Sequence, residues 1–279
     1  MKIITSECVF RGHPDKIADQ ISDRILDECL AQDKKSRVAV ETLIKNNLIV
    51  LAGEVTTNAN ICYKNVALSV LKDLGYGNLD DVEFVIEISK QSPDIALGVD
   101  KDGAGDQGIM YGFATSESKE LMPLPIVLAR KIAIKMDELT KEIPELFGSD
   151  GKCQVSIAYD GFDNPVKVTT IIVSQQTQPK VDRDFYTSFI IEECLKKVIP
   201  SWLVIEETKV LINPTGEFVK GGPYADSGLT GRKIICDTYG GVGRHGGGAF
   251  SGKDPTKVDR CAAYYARYVA KNVVAAGLA

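Results

Sequence analysis

Apolar residues recur along this chain in two alternating rhythms. From Pro14 the spacing of Ile17, Ile21, Ile25, Leu26, Cys29 and Leu30 sets one apolar stripe on a helix. Two strand-like runs follow, 37–45 and 48–57, with Asn46-Asn47 as the turn between them. A second helix over 59–74 ends at Gly75, and a strand at 82–90 completes the set. The same order then returns. A helix at 123–141 turns Val127, Leu128, Ile132 and Met136 inward, and strands at 152–159 and 166–175 flank the turn Asp163-Asn164-Pro165. A helix at 181–198 and a strand at 208–213 close this second unit. Further strands are expected at 109–115 and 232–237. A third helix, from Pro255 to about Ala276, carries Val258, Ala262, Tyr265 and Val269 as an apolar face in need of a partner sheet.

Helix, strand, strand, helix, strand thus appears twice, which predicts an α/β (α+β) fold of repeated modules in a pseudo-threefold arrangement, the third incomplete. The expected division is 1–107 for an N-terminal module that includes a lid loop at 91–107, 108–232 for a central module, and 233–279 for the start of a C-terminal one.

Composition narrows the function. The formal net charge of −5 argues against bulk nucleic-acid binding, so any cationic site is local. No apolar run is long enough to span a bilayer and the first residues are not a signal peptide, so a cytoplasmic protein with no membrane partner is expected. Seven cysteines without a CxxC pair read as reduced thiols, and two histidines are too few for zinc catalysis.

The chemistry concentrates at 238–259, TYGGVGRHGGGAFSGKDPTKVD. Its seven glycines let backbone amides approach a ligand closely, and Arg244, Lys253, Lys257 and Arg260 supply charge for a polyanion. Asp254 and Pro255 read as the N-cap and first residue of the following helix, completing a phosphate cradle. Gly247-x-x-x-x-Gly252-Lys253 matches most of a P-loop, but Asp254 stands where Ser or Thr would bind Mg²⁺ and no strand leads straight in. A flexible surface loop is the plain alternative, which regularly spaced basic residues disfavour.

Other constellations join it. In Gly12-His13-Pro14-Asp15-Lys16, His13 sits at a helix N-cap, and Asp15 either complements the helix dipole or serves a metal beside a phosphate. Glu41 and Glu54 interrupt apolar strands, as cation ligands or on an exposed face. The segment 90–108 is a long Gly/Asp-rich loop in which Asp106 is the best anchored acid among Asp94, Asp100 and Asp102. Arg232 and Lys233, with Lys253 and Lys257, would gather four cations at one phosphate site.

GHPDKIADQISD at 12–23, GGPYADSGLTGRK at 221–233, DTYGGVGRHGGGAFSGKDPTKVDR at 237–260, KQSPDIALGVD at 90–100 and GAGDQG at 103–108 closely resemble the signatures of the S-adenosylmethionine synthetase (methionine adenosyltransferase) family. The resemblance implies attack of the methionine sulfur on C5′ of ATP, release of the whole triphosphate and its hydrolysis to phosphate and diphosphate. It implies two Mg²⁺ per site, one K⁺, and a homodimer or dimer of dimers with active sites between subunits. Carried over by motif, His13, Lys152, Arg232 and Lys253 would be catalytic. ATP would be held by these four with Asp150, Phe218, Asp226, Lys233 and Ala249. Methionine would meet Glu54, Gln91, Asp226 and Lys257, with Asp106 near the substrates. Asp15 and Asp259 would bind Mg²⁺ and Glu41 K⁺. Arg11 and Glu217 depart from the pattern, where Glu and Arg are usual, and family members continue beyond position 279.

Two other readings stand beside this one. A catalytically impaired homologue could act as a nucleotide-binding or regulatory partner, as the two reversed charges suggest. An unrelated P-loop NTPase is disfavoured by Asp254.

Overall fold

A computed structural model describes residues 1–77, 79–91, 105–204 and 206–279 of the chain. Among these, the chain opens with β1 (Lys2–Val9) and then makes a first unit: α1 (Pro14–Gln32), β2 (Arg37–Lys45), β3 (Leu48–Thr56), α2 (Tyr63–Asp73) and β4 (Glu83–Ser89). The second unit repeats the order with α3 (Leu124–Glu142), β5 (Phe147–Tyr159), β6 (Pro165–Thr177), α4 (Arg183–Ile190), extended by a π turn at Ile191–Leu195, and β7 (Lys209–Ile212). β8 (Gly228–Leu229), the short helical turn α5 (Ile234–Asp237) and α6 (Val258–Ala275) follow.

Topology is the same in both units. β2 and β3 form an antiparallel hairpin, turned by Asn46 at φ 52°, and β3 then pairs parallel with β4. β5 and β6 repeat the hairpin, and β6 pairs parallel with β7. The helix after each hairpin supplies the crossover a parallel pairing requires. The repeated α/β modules are therefore present, each with its own core. Ile17, Ile21 and Ile25 of α1 pack on Val38, Val40 and Leu51 in the first unit; Ile132 and Met136 of α3 pack on Val155, Ile157 and Val173 in the second. Each fully buried side chain of this size contributes roughly 1.5–3 kcal/mol.

The fourth strand of each sheet comes from elsewhere. β1 pairs antiparallel with β5 in the second unit, and β8 pairs antiparallel with β2 in the first. Neither strand was expected. In β1 the apolar positions do not alternate, and β8 is two residues long, below any periodic signal.

Three further expectations are corrected. Residues 232–237 are not a strand but lead into α5, whose turn is closed by the Thr238 amide on the Ile234 carbonyl at 2.9 Å. Residues 109–115 form no strand; their Gly112 runs against α6, where a Cβ would lie 2.1 Å from the Ala266 carbonyl oxygen. α6 begins at Val258 with Lys257 as N-cap; Asp254 gives one carboxylate oxygen to the Val38 amide of β2 and the other to a turn at Thr256. Its expected apolar face is open in part: Tyr265 and Val269 are exposed, while Val258 and Ala262 are half-buried. Most of the expected lid at 91–107 lies outside the described residues, which hold only Gln91 and 105–107 of it. Among the described residues, no helix is long and apolar enough to cross a membrane.

Candidate active site

The N-terminus of α1 builds the first half of the site. Pro14 occupies the first helical turn, and His13 caps it by accepting the Asp15 amide at Nδ1, 3.2 Å away. An accepting Nδ1 leaves the ring proton on Nε2. Burial and then the Lys233 ammonium hold this imidazole down to about 4, so it is neutral at pH 7 with one N–H to donate. Asp15 is buried and accepts Lys233 Nζ at 2.5 Å and the Leu229 amide at 2.9 Å, with Arg232 Nε 3.3 Å away. Burial pushes its carboxyl up, but those three donors together hold it below the ordinary range. Lys152 and Asp226 also act on His13 through space. Asp150, on the same strand as Lys152, accepts the Gly222 amide at 2.7 Å, and burial pushes its carboxyl up to about 6. Half-buried Phe218 lies beside this strand pair, its carbonyl accepting the Thr177 amide at 2.8 Å.

The glycine-rich segment builds the second half by lying along β2. The Val40 amide donates to the Gly252 carbonyl, the Asp254 amide donates to the Val38 carbonyl, and Lys253 bridges to Ala39. Gly252 has φ +75°, and a Cβ there would lie 2.2 Å from the Val40 carbonyl oxygen, so only glycine permits this approach. Asp254 is fully buried and takes the Val38 amide and Lys257 Nζ, both at 2.7 Å. Lys253 in turn donates to Asp259 at 2.6 Å.

Two cavities open beside this strap. One, of about 270 Å³, is lined by Glu41, Glu54, Thr230, Ala249 and Lys253. The other, of about 220 Å³, is lined by Glu54, Gln91, Asp106, Lys253 and Lys257. They share Ala39, Glu54 and Lys253. The two halves of the site meet where Gly231, one residue before Arg232, approaches Ala249 so closely that a Cβ would stand 2.3 Å from its methyl. The sequence-predicted residues therefore fall into two adjoining groups. His13, Asp15, Asp150, Lys152, Phe218, Asp226, Arg232 and Lys233 form one; Glu41, Glu54, Gln91, Asp106, Ala249, Lys253, Lys257 and Asp259 form the other.

Among the described residues, no helix covers the face of the first sheet that holds Glu41 and Glu54, and both are exposed. Arg11 turns its guanidinium to Gln20, Nε to Oε1 3.2 Å, and Glu217 is exposed. No strand runs straight into the glycine-rich loop, and the P-loop resemblance ends there. All seven cysteines are free thiols. Among the described residues, no cluster of three or more His, Cys, Asp or Glu could hold a metal alone. Asp15 and Asp259 are single carboxylates, each paired with a lysine.

Sequence reasoning missed three acids that hold the loops. Asp19 accepts the Gly231 amide and Asp23 the Gly252 amide, while Asp254 was assigned to a helix cap. The four-residue spacing of Asp15, Asp19 and Asp23 was a usable signal, since it sets all three on one face of α1.

Comparison with known proteins gives three family matches: the S-adenosylmethionine synthetase N-terminal domain over residues 1–93, its central domain over 101–218, and its C-terminal domain over 220–279. The S-adenosylmethionine synthase of Akkermansia muciniphila is 52% identical, covering 99% of this chain and 75% of that protein. That of Thermus thermophilus is 50% identical, covering 100% of this chain and 76% of that protein. That of Desulforudis audaxviator is 50% identical, with 99% and 75% covered.

Proposed function

Because this chain belongs to the S-adenosylmethionine synthetase family, we propose that its two-part site makes S-adenosylmethionine from ATP and L-methionine. A lone pair of the methionine sulfur forms the new bond to C5′ as the C5′–O bond breaks, and the electrons leave with the triphosphate. The chain forms no covalent intermediate; its work is to hold sulfur and C5′ in line and to stabilise the departing polyanion. The observation that carries this reading is the Gly231–Ala249 contact, which joins the loop bearing Arg232 and Lys233 to the segment bearing Lys253.

Roles follow from the chemistry. Neutral His13 donates its Nε2–H to an oxygen of the leaving triphosphate, near the bond that breaks. Lys152, Arg232, Lys233 and Lys253 neutralise the phosphates, and Asp150, Asp226, Phe218 and Ala249 bound the nucleotide. Glu54, Gln91 and Lys257, around the 220 Å³ cavity, take the ammonium and carboxylate of methionine, with Asp226 and Asp106 nearby. Hydrolysis of triphosphate to phosphate and diphosphate in the same site keeps it from rebinding.

Family members use metal ions, and the donor set here suits Mg²⁺ that arrives with the nucleotide. Such an ion takes one or two carboxylates and completes its shell with phosphate oxygens and water. Asp15 and Asp259 would supply those carboxylates for two Mg²⁺ per site, and Glu41 would suit K⁺. When bound, these ions supply positive charge against the triphosphate. Assembly as a homodimer, or a dimer of dimers, is supported by the uncovered face of the first sheet, where Val85 is exposed and Glu41 and Glu54 line the cavities. A second copy on that face would set the site between subunits. The protein works in the cytoplasm. A purely regulatory role is not favoured, since the relatives that match across this whole chain are S-adenosylmethionine synthases.

The test is methionine-dependent release of phosphate from ATP, stimulated by K⁺. Lys253→Ala is expected to cut turnover about a hundredfold or more while leaving the fold intact. Unchanged turnover would remove Lys253 from the phosphate site.

A further inference from the structure

α1 carries acids at positions 15, 19 and 23, one helical step of four apart and so on one face. Each accepts a backbone amide from the loops that deliver the site's cations. Asp15 Oδ1 takes the Leu229 amide at 2.9 Å, Asp19 Oδ1 the Gly231 amide at 2.9 Å, and Asp23 Oδ1 the Gly252 amide at 3.0 Å. The last two share a pattern. In both loops the gripped residue is a glycine at positive φ, +78° at Gly231 and +75° at Gly252, and the next residue is a cation, Arg232 or Lys253. We propose that Asp19 and Asp23 are positioning residues, which set these two cations for the reaction by holding the amide one residue before each.

The surroundings favour such a role. Asp19 is buried and its second oxygen lies 3.0 Å from Lys16 Nζ, while Lys16 also pairs with Asp237 at the end of α5. Thr230 is tied to the same helix through Ser22, Oγ to Oγ1 2.8 Å. Asp23 takes Arg260 as well, at 2.8 Å, and Arg260 donates to the Lys253 carbonyl at 3.2 Å, so the backbone is held both before and after the Lys253 side chain. A carboxylate holding an N–H is stronger than a neutral acceptor, and a shift of about 1 Å in a charge that stabilises a leaving group can lower turnover about a hundredfold. The geometry is that of a rigid helix face holding two flexible loops.

This inference rests on the phosphate role of Lys253. Asp23 is the better test, because its side chain is partly exposed and its removal leaves the core untouched. Asp23→Ala is expected to lower kcat about tenfold with KM for ATP within about threefold, since the lost interaction matters in the transition state. Asp23→Asn keeps an oxygen for the Gly252 amide and is expected to recover most of the loss. In a Lys253→Ala background Asp23→Ala is expected to add nothing, because it acts through that lysine. Additive losses, or a wild-type kcat in Asp23→Ala beside a crippled Lys253→Ala, would overturn the positioning role and leave the phosphate site standing. Full turnover in Lys253→Ala would overturn both.

Discussion

Removing the Asp254 carboxylate tests how the glycine-rich segment is held on the sheet. Asp254 is fully buried and accepts four donors: the Val38 amide, Lys257 Nζ, and the amide and hydroxyl of Thr256. In Asp254→Ala the Val38 amide loses its partner inside the protein, at a cost of about 1–3 kcal/mol. Lys257 also loses its counter-charge, but its side chain is 21% exposed. Water reaches it, so this loss is about 1 kcal/mol rather than the 3–5 of a fully buried pair. The sum is about 3 kcal/mol, which in a chain of this size lowers Tm by roughly 6–10 °C. Asp254→Asn keeps one acceptor and is expected to lose about half as much. The pH dependence has a definite sign. Burial pushes the Asp254 carboxyl up, but Lys257, Thr256 and the Val38 amide outweigh it and hold the group below the ordinary carboxylate value. A depressed acid contributes stability that is fully present above its unfolded value and lost as pH falls through the folded one. Thermal and urea unfolding of both proteins should therefore show a constant gap from pH 8 to 5 that closes only below about pH 4. A gap under about 1 kcal/mol, or one that closes between pH 8 and 6, would refute the reasoning.

Gly252→Ala forces an L side chain to φ +75° and against the Val40 carbonyl, so a loss of about 3 kcal/mol or more is expected. Gly247→Ala, at φ +92° but facing open space, should cost about 1 kcal/mol, and equal losses on urea unfolding would contradict the close-approach argument. Asp137 lies where burial pushes its carboxyl up to about 6. A raised acid makes folding less favourable as pH rises from about 4 to 6, so Asp137→Asn should stabilise by about 1–2 kcal/mol at pH 8 and by nothing at pH 4. A gain that is the same at both pH values would rule out ionisation as its source.

The parts of the fold that obey a period were legible in the chain. Ile17, Ile21 and Ile25 mark α1 at helical spacing, and alternation in β2 correctly divides buried Val38, Val40 and Thr42 from the face that carries Ala39 and Glu41. What escaped has no period. β8 exists because Gly228 and Leu229 reach Ile44 and Leu43, a contact set by the helix they cross. The candidate site was suggested by its residue types, since glycines beside cations point to an anion, but its scaffolding was not. Asp254 followed by Pro255 is as good a helix start as sequence offers, yet Val38 and Lys257 compete for the same carboxylate and win. One carboxylate oxygen is drawn to β2 while the other makes a local turn to Thr256, and the helix starts only at Val258. Asp19 and Asp23 escaped because an acid beside an apolar stripe reads as a solvated edge until the loop it holds is known.

The exchange of outer strands between the two sheets has a consequence in time. As the chain leaves the ribosome, β1 emerges first, yet Cys8 has no partner until Cys153 appears about 145 positions later, some 7 to 30 s at ordinary rates of synthesis. β2 waits longer still for Gly228. Throughout that interval the first unit has a core but an open edge, and the first eight residues have no sheet to join. Unpaired strands of this kind can add to another nascent chain as readily as to their own. The arrangement that draws both halves of the site together thus makes the interval before residue 229 the one in which the chain most needs to be shielded from its neighbours.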